Sequence, residues 1–270
     1  MVKRLILLVV AVTAFTALVV ARAQAPRPQA PTPVWNSPGM IGADQPPQTG
    51  PAPRRDITGV WDAGGAGIAP RGSPTSPLTA AGEKMMSTHR PGDGPRAALI
   101  GEINDPLSTM CDPAGFPRIL LFELRPFQVV QNPDQVLMLY MFEKRFRVIW
   151  TDGRELPKNP DPRWYGYSVG KWEDDSTFVV QTIGMDDRTW LDNAGNPHST
   201  DMRVEERYHR VNQGTLELTV TIDDPTAYTK PWVARNKLPL RLIPTRTDLM
   251  EMICSPTEAL EYKRIMGQQK

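Results

Sequence analysis

The sequence predicts a mainly β fold, built as an antiparallel barrel or a strongly curled sheet with a few short peripheral helices. From residue 127 to residue 254, short segments alternate apolar and polar residues with a period of two, which is typical of strands with one buried face. Turn-forming Asp, Asn, Gly and Pro residues separate these segments at regular intervals. Closure into a barrel would remove the exposed edges that so many short strands otherwise present.

The N-terminal residues 1–25 predict a secretory signal peptide. Lys3 and Arg4 precede an apolar run from Leu5 to Val20, and the small residues around Ala25 offer a cleavage site. The alternative is an uncleaved membrane anchor, which needs about 20 apolar residues, and this run is shorter. We therefore expect cleavage after Ala25 and a secreted or periplasmic protein that keeps no stable membrane anchor.

Residues 26–54 predict a flexible, Pro-rich tether, because prolines remove backbone donors and the apolar residues are too few to form a core. Residues 55–270 then predict a single β domain, since no second linker interrupts that part of the sequence. The 31 basic residues balance the 30 acidic residues. Without a basic stripe, neither nucleic acid nor an anionic membrane is an expected partner.

Two cysteines, Cys111 and Cys254, follow the predicted signal peptide. An exported protein with an even number of cysteines usually pairs them. The alternative is a pair of buried free thiols. We favour a disulfide, which would close a long loop and restrict the unfolded chain.

The first half of the domain predicts one strand and two short helices. Ile57–Trp61 is a short strand that contains Gly-x-Trp, a local signature of lipocalin-like barrels. Pro77–Met86 predicts a helix with Thr79 as its N-cap. Arg96–Ile103 predicts a second short helix, which ends before an Asn-Asp-Pro sequence.

The second half of the domain predicts a series of strands and one final helix. Glu173–Ser176 is the predicted turn of a central hairpin, and Ser255 begins a cap for a helix that ends at Met266. Met202–Val211 has the composition of a helix, but its apolar residues do not form a full helical stripe, so we predict a strand. The predicted strands are Phe127–Gln131, Val136–Phe142, Arg145–Trp150, Tyr167–Trp172, Thr177–Ile183, Met202–Val211, Leu216–Ile222, Tyr228–Ala234, Leu238–Ile243 and Asp248–Cys254.

Six motifs along the domain together resemble a large group of exported bacterial proteins of uncharacterised activity. They are DITGVW (56–61), IWTDGRELP (149–157), GYSVGKWEDDSTFVVQTIG (166–184), DDRTWLDNAGNPHS (186–199), VEERYHRV (204–211) and TIDDPTAYTKPW (221–232). The resemblance implies a lipocalin-like, mainly antiparallel β fold and a secreted or periplasmic location. It implies no activity that can be assigned to particular residues.

The segment that follows the central hairpin carries the candidate catalytic residues. Asp186 or Asp187 could orient His198, which would leave the imidazole as a general acid or base near neutral pH, with Arg188 beside them. The alternative is a structural network in which Arg188 bonds a carboxylate and His198 caps a turn. The sequence leaves both interpretations open.

Aromatic residues from several strands form a candidate ligand site. Aromatic walls with a few polar groups suit a small, partly apolar or ring-shaped ligand, whereas the alternative is that each ring covers the core with one satisfied polar atom. The candidate ligand-binding residues are Tyr167, Trp172, Trp190, Tyr228 and Trp232.

No metal and no cofactor are predicted. The three histidines are scattered without a paired metal-binding motif, and no Gly-x-Ser-x-Gly sequence points to a nucleophilic serine.

Three functions are compatible with these residues. The leading hypothesis is an exported lipocalin-like protein that binds a small, partly apolar or ring-shaped molecule in a barrel cavity beside the 186–198 loop. The alternative is a lyase, hydratase or hydrolase that uses His198 with Asp186 or Asp187, so whether the protein is an enzyme stays open. A structural envelope protein is the further alternative, and a barrel filled by Trp, Leu and Met side chains would favour it.

Overall fold

The computed structural model describes residues 48–68, 75–244 and 247–266, which belong to the compact unit Pro38–Lys270. The predicted signal peptide and most of the predicted tether lie outside these ranges. The last tether residues, 48–54, are described, and the carbonyl of Gly50 accepts a hydrogen bond from the backbone N–H of Gln213 at 2.8 Å. This bond joins the end of the tether segment to a hairpin turn of the β domain.

Nine strands form a closed barrel in which each strand pairs with the next and the first pairs with the last. They are β1 Gly59–Asp62, β2 Phe127–Gln131, β3 Gln135–Tyr140, β4 Phe146–Trp150, β5 Tyr167–Trp172, β6 Thr177–Ile183, β7 Arg203–Asn212, β8 Thr215–Asp223 and β9 Trp232–Ile243. The predicted lipocalin-like barrel is therefore confirmed. One pair departs from the antiparallel prediction: β4 and β5 run parallel, with Ile149 opposite Ser168.

The period-two pattern places the apolar residues inside the barrel. Along β8, every second residue is fully buried, while the residues between them are only partly buried. On the other strands, the same alternation directs apolar side chains into the barrel interior. Core residues from the barrel strands include Trp61, Phe127, Val129, Val136, Met138, Ile149, Phe178, Val180, Val204, Tyr208, Leu216, Leu218, Val220, Ile222 and Leu240.

The central hairpin is confirmed with its predicted bounds. Strands β5 and β6 pair from Tyr167 opposite Ile183 to Trp172 opposite Phe178. The carboxylate of Asp174 accepts the backbone N–H groups of the two residues that end the turn, at 2.7 and 2.6 Å. Aspartate closes turns by this local bonding, which explains why the sequence alone located the hairpin.

Two predicted strands fuse into one, and another is absent. Tyr228–Ala234 and Leu238–Ile243 were predicted as separate strands, but β9 runs unbroken from Trp232 to Ile243. Register shifts opposite β9 interrupt its alternation, because a bulge places two residues against one. The predicted strand Asp248–Cys254 is wrong, since that segment makes one isolated bridge, between Met252 and Phe142, which follows β3.

Two predicted helices are confirmed and one is not. Helix α1, Ala80–Ser87, begins at Thr79, whose hydroxyl accepts the N–H of Gly82 at 3.0 Å. The final helix, Pro256–Met266, covers the predicted range. Arg96–Ile103 forms only a 3-10 turn at Ile100–Glu102, and its N-cap residue Leu99 makes no side-chain cap hydrogen bond.

Two further short helices were not predicted. Helix α2, Pro106–Met110, and helix α3, Arg118–Leu121, precede β2, and the final helix is therefore α4. Every residue of α3 is buried and its apolar residues join the barrel core. The Arg118 guanidinium bonds both carboxylate oxygens of Asp105, the N-cap of α2, at 2.8 and 2.6 Å. This ion pair ties the two helices together.

The Gly-x-Trp sequence lies in β1, where the chain closes the barrel. The indole N–H of Trp61 donates to the carbonyl of Ile57 at 2.9 Å, and the guanidinium carbon of Arg210 lies 4.6 Å from the Trp61 ring centre. Gly59 has a φ of +145°, and a Cβ there would lie 2.4 Å from Leu242. The positive φ favours glycine at this position, since other residues rarely adopt it.

The predicted disulfide is confirmed. The sulfur atoms of Cys111 and Cys254 are 1.96 Å apart and their Cα atoms are separated by 5.4 Å. The bond joins the residue that ends α2 to the segment that precedes α4. It spans 143 positions of the sequence and fastens the segment before α4 to the end of α2.

Candidate functional site

His198, the predicted general acid or base, is buried, with both ring nitrogens engaged. Its Nε2 lies 2.8 Å from the hydroxyl of Thr189, and its Nδ1 lies 3.2 Å from the carbonyl of Ser199. A carbonyl can only accept, so in the neutral ring Nδ1 is the donor. The single proton of the Thr189 hydroxyl has two acceptors within reach, Nε2 at 2.8 Å and the carbonyl of Asp186 at 3.1 Å. Burial lowers the pKa of this imidazole, against the opposing effect of Asp224. These contacts match the structural alternative, and the catalytic role stays a prediction.

The neighbouring acidic residues lie closer to the surface. Arg188 donates from Nε and Nη2 to the two carboxylate oxygens of Asp186, at 2.9 and 2.6 Å. These bonds hold the pKa of the Asp186 carboxyl below its usual range. The guanidinium also lies 4.3 Å from the ring centre of Trp164, and Asp187 is exposed. The arrangement is the ion-pair clasp that the sequence offered as the alternative to a catalytic group.

The structure does not bring the five candidate aromatic residues together. Trp190 stacks on His89 with ring centres 4.4 Å apart, and Trp172 packs against Phe178 at 5.3 Å. Tyr228 donates its hydroxyl to the carbonyl of Pro197 at 2.9 Å and lies 5.6 Å from Trp232. Tyr228 and Trp232 therefore contact each other, whereas Trp190 and Trp172 pack against other rings. The fifth, Tyr167, lies in a groove that the sequence did not predict.

This groove runs along the outer side of β4 and β5 and has a volume of about 560 Å³. Phe146, Val148 and Trp150 alternate along β4 with the buried residues Arg147 and Ile149, which places the groove on the outer face of the strand. We call it the β4–β5 groove. It is lined by Phe146, Arg147, Val148, Trp150, Arg154, Glu155, Leu156, Pro157, Arg163, Tyr165, Gly166, Tyr167, Ser168 and Val169.

Aromatic rings and guanidinium groups meet along this groove. The guanidinium carbon of Arg154 lies 3.7 Å from the ring centre of Trp150, and that of Arg163 lies 4.1 Å from the ring centre of Tyr167. Phe146 keeps 66% of its surface exposed, which is unusual for a large apolar ring. The groove can therefore stack a planar ligand and offer it positive charge.

Tyr165 connects the groove to a buried carboxylate. Its hydroxyl donates to Glu143 at 3.1 Å, and the backbone N–H of Ala114 donates to the same carboxylate oxygen at 2.9 Å. Burial raises the pKa of the Glu143 carboxyl, although both hydrogen bonds oppose this effect. The contact fixes one wall of the groove against the loop that precedes α3.

Behind the groove, a cluster of polar residues lies inside the barrel. The Arg147 guanidinium bonds both carboxylate oxygens of Glu206, at 2.9 and 2.5 Å. It also donates to Ser168 at 3.1 Å and to Thr182 at 2.8 Å. Burial alone would lower the pKa of this guanidinium, but Glu206 raises it above its usual value. One arginine thereby connects four consecutive strands, β4 to β7.

Two tyrosines extend this cluster. The hydroxyl of Tyr208 donates to Glu206 at 2.7 Å. Burial raises the pKa of Tyr140 to about 12 and also raises the pKa of Tyr208. Sequence reasoning missed the cluster, although a signal was present: Arg147 and Glu206 occupy inward positions in the alternation of their strands.

Comparisons of the chain with protein-family models, with curated proteins and with solved structures find no match. In residues 48–68, 75–244 and 247–266, no three His, Cys, Asp or Glu side chains are arranged to hold a metal ion. Over the same ranges, no helix combines the length and the apolar character needed to cross a bilayer. The groove and the polar cluster behind it are therefore the features from which a function can be inferred.

Proposed function

We propose that this chain is an exported lipocalin-like barrel that binds a small, partly apolar or ring-shaped molecule, with the β4–β5 groove as the binding site. The observation that carries the proposal is the set of four aromatic rings lining a groove of about 560 Å³. Small-molecule sites in proteins are concave, mostly apolar and of this order of volume. The ligand class is the one predicted from the sequence, but the proposed binding site lies on the outer face of the barrel and not in an interior cavity.

The packing of the barrel supports the outer location. Interior positions hold large side chains such as Met138, Phe178 and Tyr208, and the Arg147–Glu206 pair occupies the space between β4 and β7. His198, which was expected beside an interior cavity, is 2% exposed and bonded at both nitrogens. A ligand on the outer face needs no rearrangement of these groups.

Export to an oxidising compartment is part of the proposal. The Cys111–Cys254 disulfide supports it, because such bonds persist mainly outside the cytosol. The predicted signal peptide and the resemblance to exported bacterial proteins favour the same location. N-terminal sequencing of the protein from a periplasmic or secreted fraction should begin at Pro26. Recovery of the chain with Met1 intact in washed membranes would contradict export.

A structural envelope protein is the second candidate, and the filled barrel interior is the observation that favours it. Such a protein needs no ligand, so its groove would be a surface feature without affinity for small molecules. The acid–base enzyme stays a prediction from the sequence. Both ring nitrogens of His198 already contact protein atoms, and this arrangement does not favour catalysis over a structural role.

Ligand retention distinguishes the two candidates. Native mass spectrometry of protein purified from its own host should show a bound small molecule, and Phe146→Ala should release it. The ring of Phe146 is mostly exposed, so its removal should leave the melting temperature nearly unchanged. Val233→Ala, at a 51% exposed position of β9, is the matched control and should retain the molecule. Retention that survives Phe146→Ala would contradict the groove assignment.

A further inference from the structure

We infer that the ligand of the β4–β5 groove is an aromatic monoanion, such as an aryl carboxylate, and that its carboxylate binds the guanidinium of Arg163. The inference rests on the proposed function, because it names the ligand class for that same site. It follows from the charges that line the groove and from the partners that these charges already have.

Three arginines line the groove, and two of them already bind a carboxylate. Arg147 bonds Glu206 inside the barrel. Arg154 donates from Nε and Nη2 to Asp152, with its closest contact at 2.6 Å. Within the described part of the chain, no carboxylate lies at ion-pair distance from the third, Arg163. Arg163 is therefore the cation that can receive an anionic ligand.

The backbone fixes Arg163 where it meets the groove. Its N–H donates to the carbonyl of Gly184 and its carbonyl accepts from the N–H of Asp186, both at 3.0 Å. Its guanidinium carbon lies 4.1 Å from the ring centre of Tyr167. A guanidinium stacked on a ring keeps its N–H groups free to hold a carboxylate with two parallel bonds. Its other face can stack against an aromatic ring of the ligand.

Glu155 limits the charge that the groove accepts. This exposed residue lines the same groove, and none of the described residues forms an ion pair with its carboxylate. A ligand with a second negative charge would be repelled by this group, since like charges across an interface oppose binding. One carboxylate beside Arg163 meets less of this repulsion than a phosphate monoester does. The groove therefore favours a single negative charge.

Matched probes test the inference. Isothermal titration calorimetry of the exported chain would compare 2-naphthoate, 2-naphthamide and 2-naphthyl phosphate at low ionic strength. We expect naphthoate to bind about tenfold more tightly than the neutral amide, which shares its ring system. Arg163→Gln should remove that difference. The control Arg264→Gln, at an exposed residue of α4 paired with Glu261, should keep it.

The outcomes separate the inference from the proposed function. Equal wild-type affinity for naphthoate and naphthamide overturns the inference and leaves aromatic binding intact, whereas failure of both probes at millimolar concentration overturns the proposed function as well. Tightest binding of the phosphate overturns the monoanion assignment.

Salt gives a test that needs no variant: raising NaCl to about 0.5 M should weaken binding of naphthoate and leave that of naphthamide unchanged. Equal salt dependence of the two also overturns the inference.

Discussion

Replacing either Arg147 or Glu206 alone by an apolar residue should destabilise the barrel more than replacing both together. The Arg147 side chain is 2% exposed and the Glu206 side chain is fully buried. Arg147→Met leaves the Glu206 carboxylate inside the core with the hydroxyl of Tyr208 as its remaining bond, at 2.7 Å. Glu206→Leu leaves the guanidinium with the hydroxyls of Ser168 and Thr182. Either single change leaves a buried charge without its ionic partner.

The expected magnitudes follow from the remaining contacts. Breaking a buried ion pair by removing one partner costs about 3–5 kcal/mol, whereas replacing both partners by apolar residues is often nearly neutral. In Arg147→Met/Glu206→Leu, Ser168 and Thr182 can still bond each other at 3.0 Å. The Tyr208 hydroxyl lies 3.5 Å from the sulfur of Met138. The double variant should therefore be at least about 2 kcal/mol more stable than either single variant.

Urea unfolding of the four proteins, followed by tryptophan fluorescence with the disulfide intact, gives the required free energies. Arg207 in β7 and Glu173 in the turn between β5 and β6 form a partly exposed ion pair and serve as the control cycle. Their coupling should stay below about 1 kcal/mol, because solvent screens such pairs. A double variant as unstable as the sum of the two single changes would refute the reasoning about the buried pair.

Two further predictions concern His198 and the disulfide. His198→Ala should cost about 1–3 kcal/mol by leaving polar partners unsatisfied, and thermal melts of the two proteins check this. Because burial lowers the folded-state pKa of His198, the unfolded chain binds the proton first as pH falls below about 6.5, so wild-type stability should decline there. The variant should show a shallower decline in melts across pH 5–8, and an unchanged slope would contradict the assignment. Cys111→Ala/Cys254→Ala should cost about 4 kcal/mol by freeing the unfolded chain, and thiol titration of denatured wild type should detect no free thiol.

Local signals in the sequence were sufficient to predict several structural elements. The central hairpin has its predicted bounds because alternation and the bonds of Asp174 act within a few residues. The cap of α1 at Thr79 depends on one side chain and the N–H group three positions later. The disulfide was also predicted, since the expected export favoured pairing of the two cysteines over two free thiols.

Elements that depend on distant partners were predicted less well. The unbroken β9 forms because β8 supplies a partner along its length, with bulges that the alternation of β9 alone does not show. Asp248–Cys254 has a strand-like composition, but only Met252 finds a bridge partner there. The backbone pairs where a neighbouring strand is available, and that availability is set by the closed barrel.

The sequence by itself determined the class of fold, the order of most strands and the pairing of the cysteines. Only the tertiary structure decided which chemical groups meet. Glu206 lies 59 positions after Arg147, and barrel closure brings both to the inside. The parallel placement of β5 beside β4 creates the groove that holds Tyr167, and burial turns His198 into a bonded core residue. Secondary structure follows from short-range periodicity, whereas a site depends on strand register, which is fixed only when the whole barrel packs.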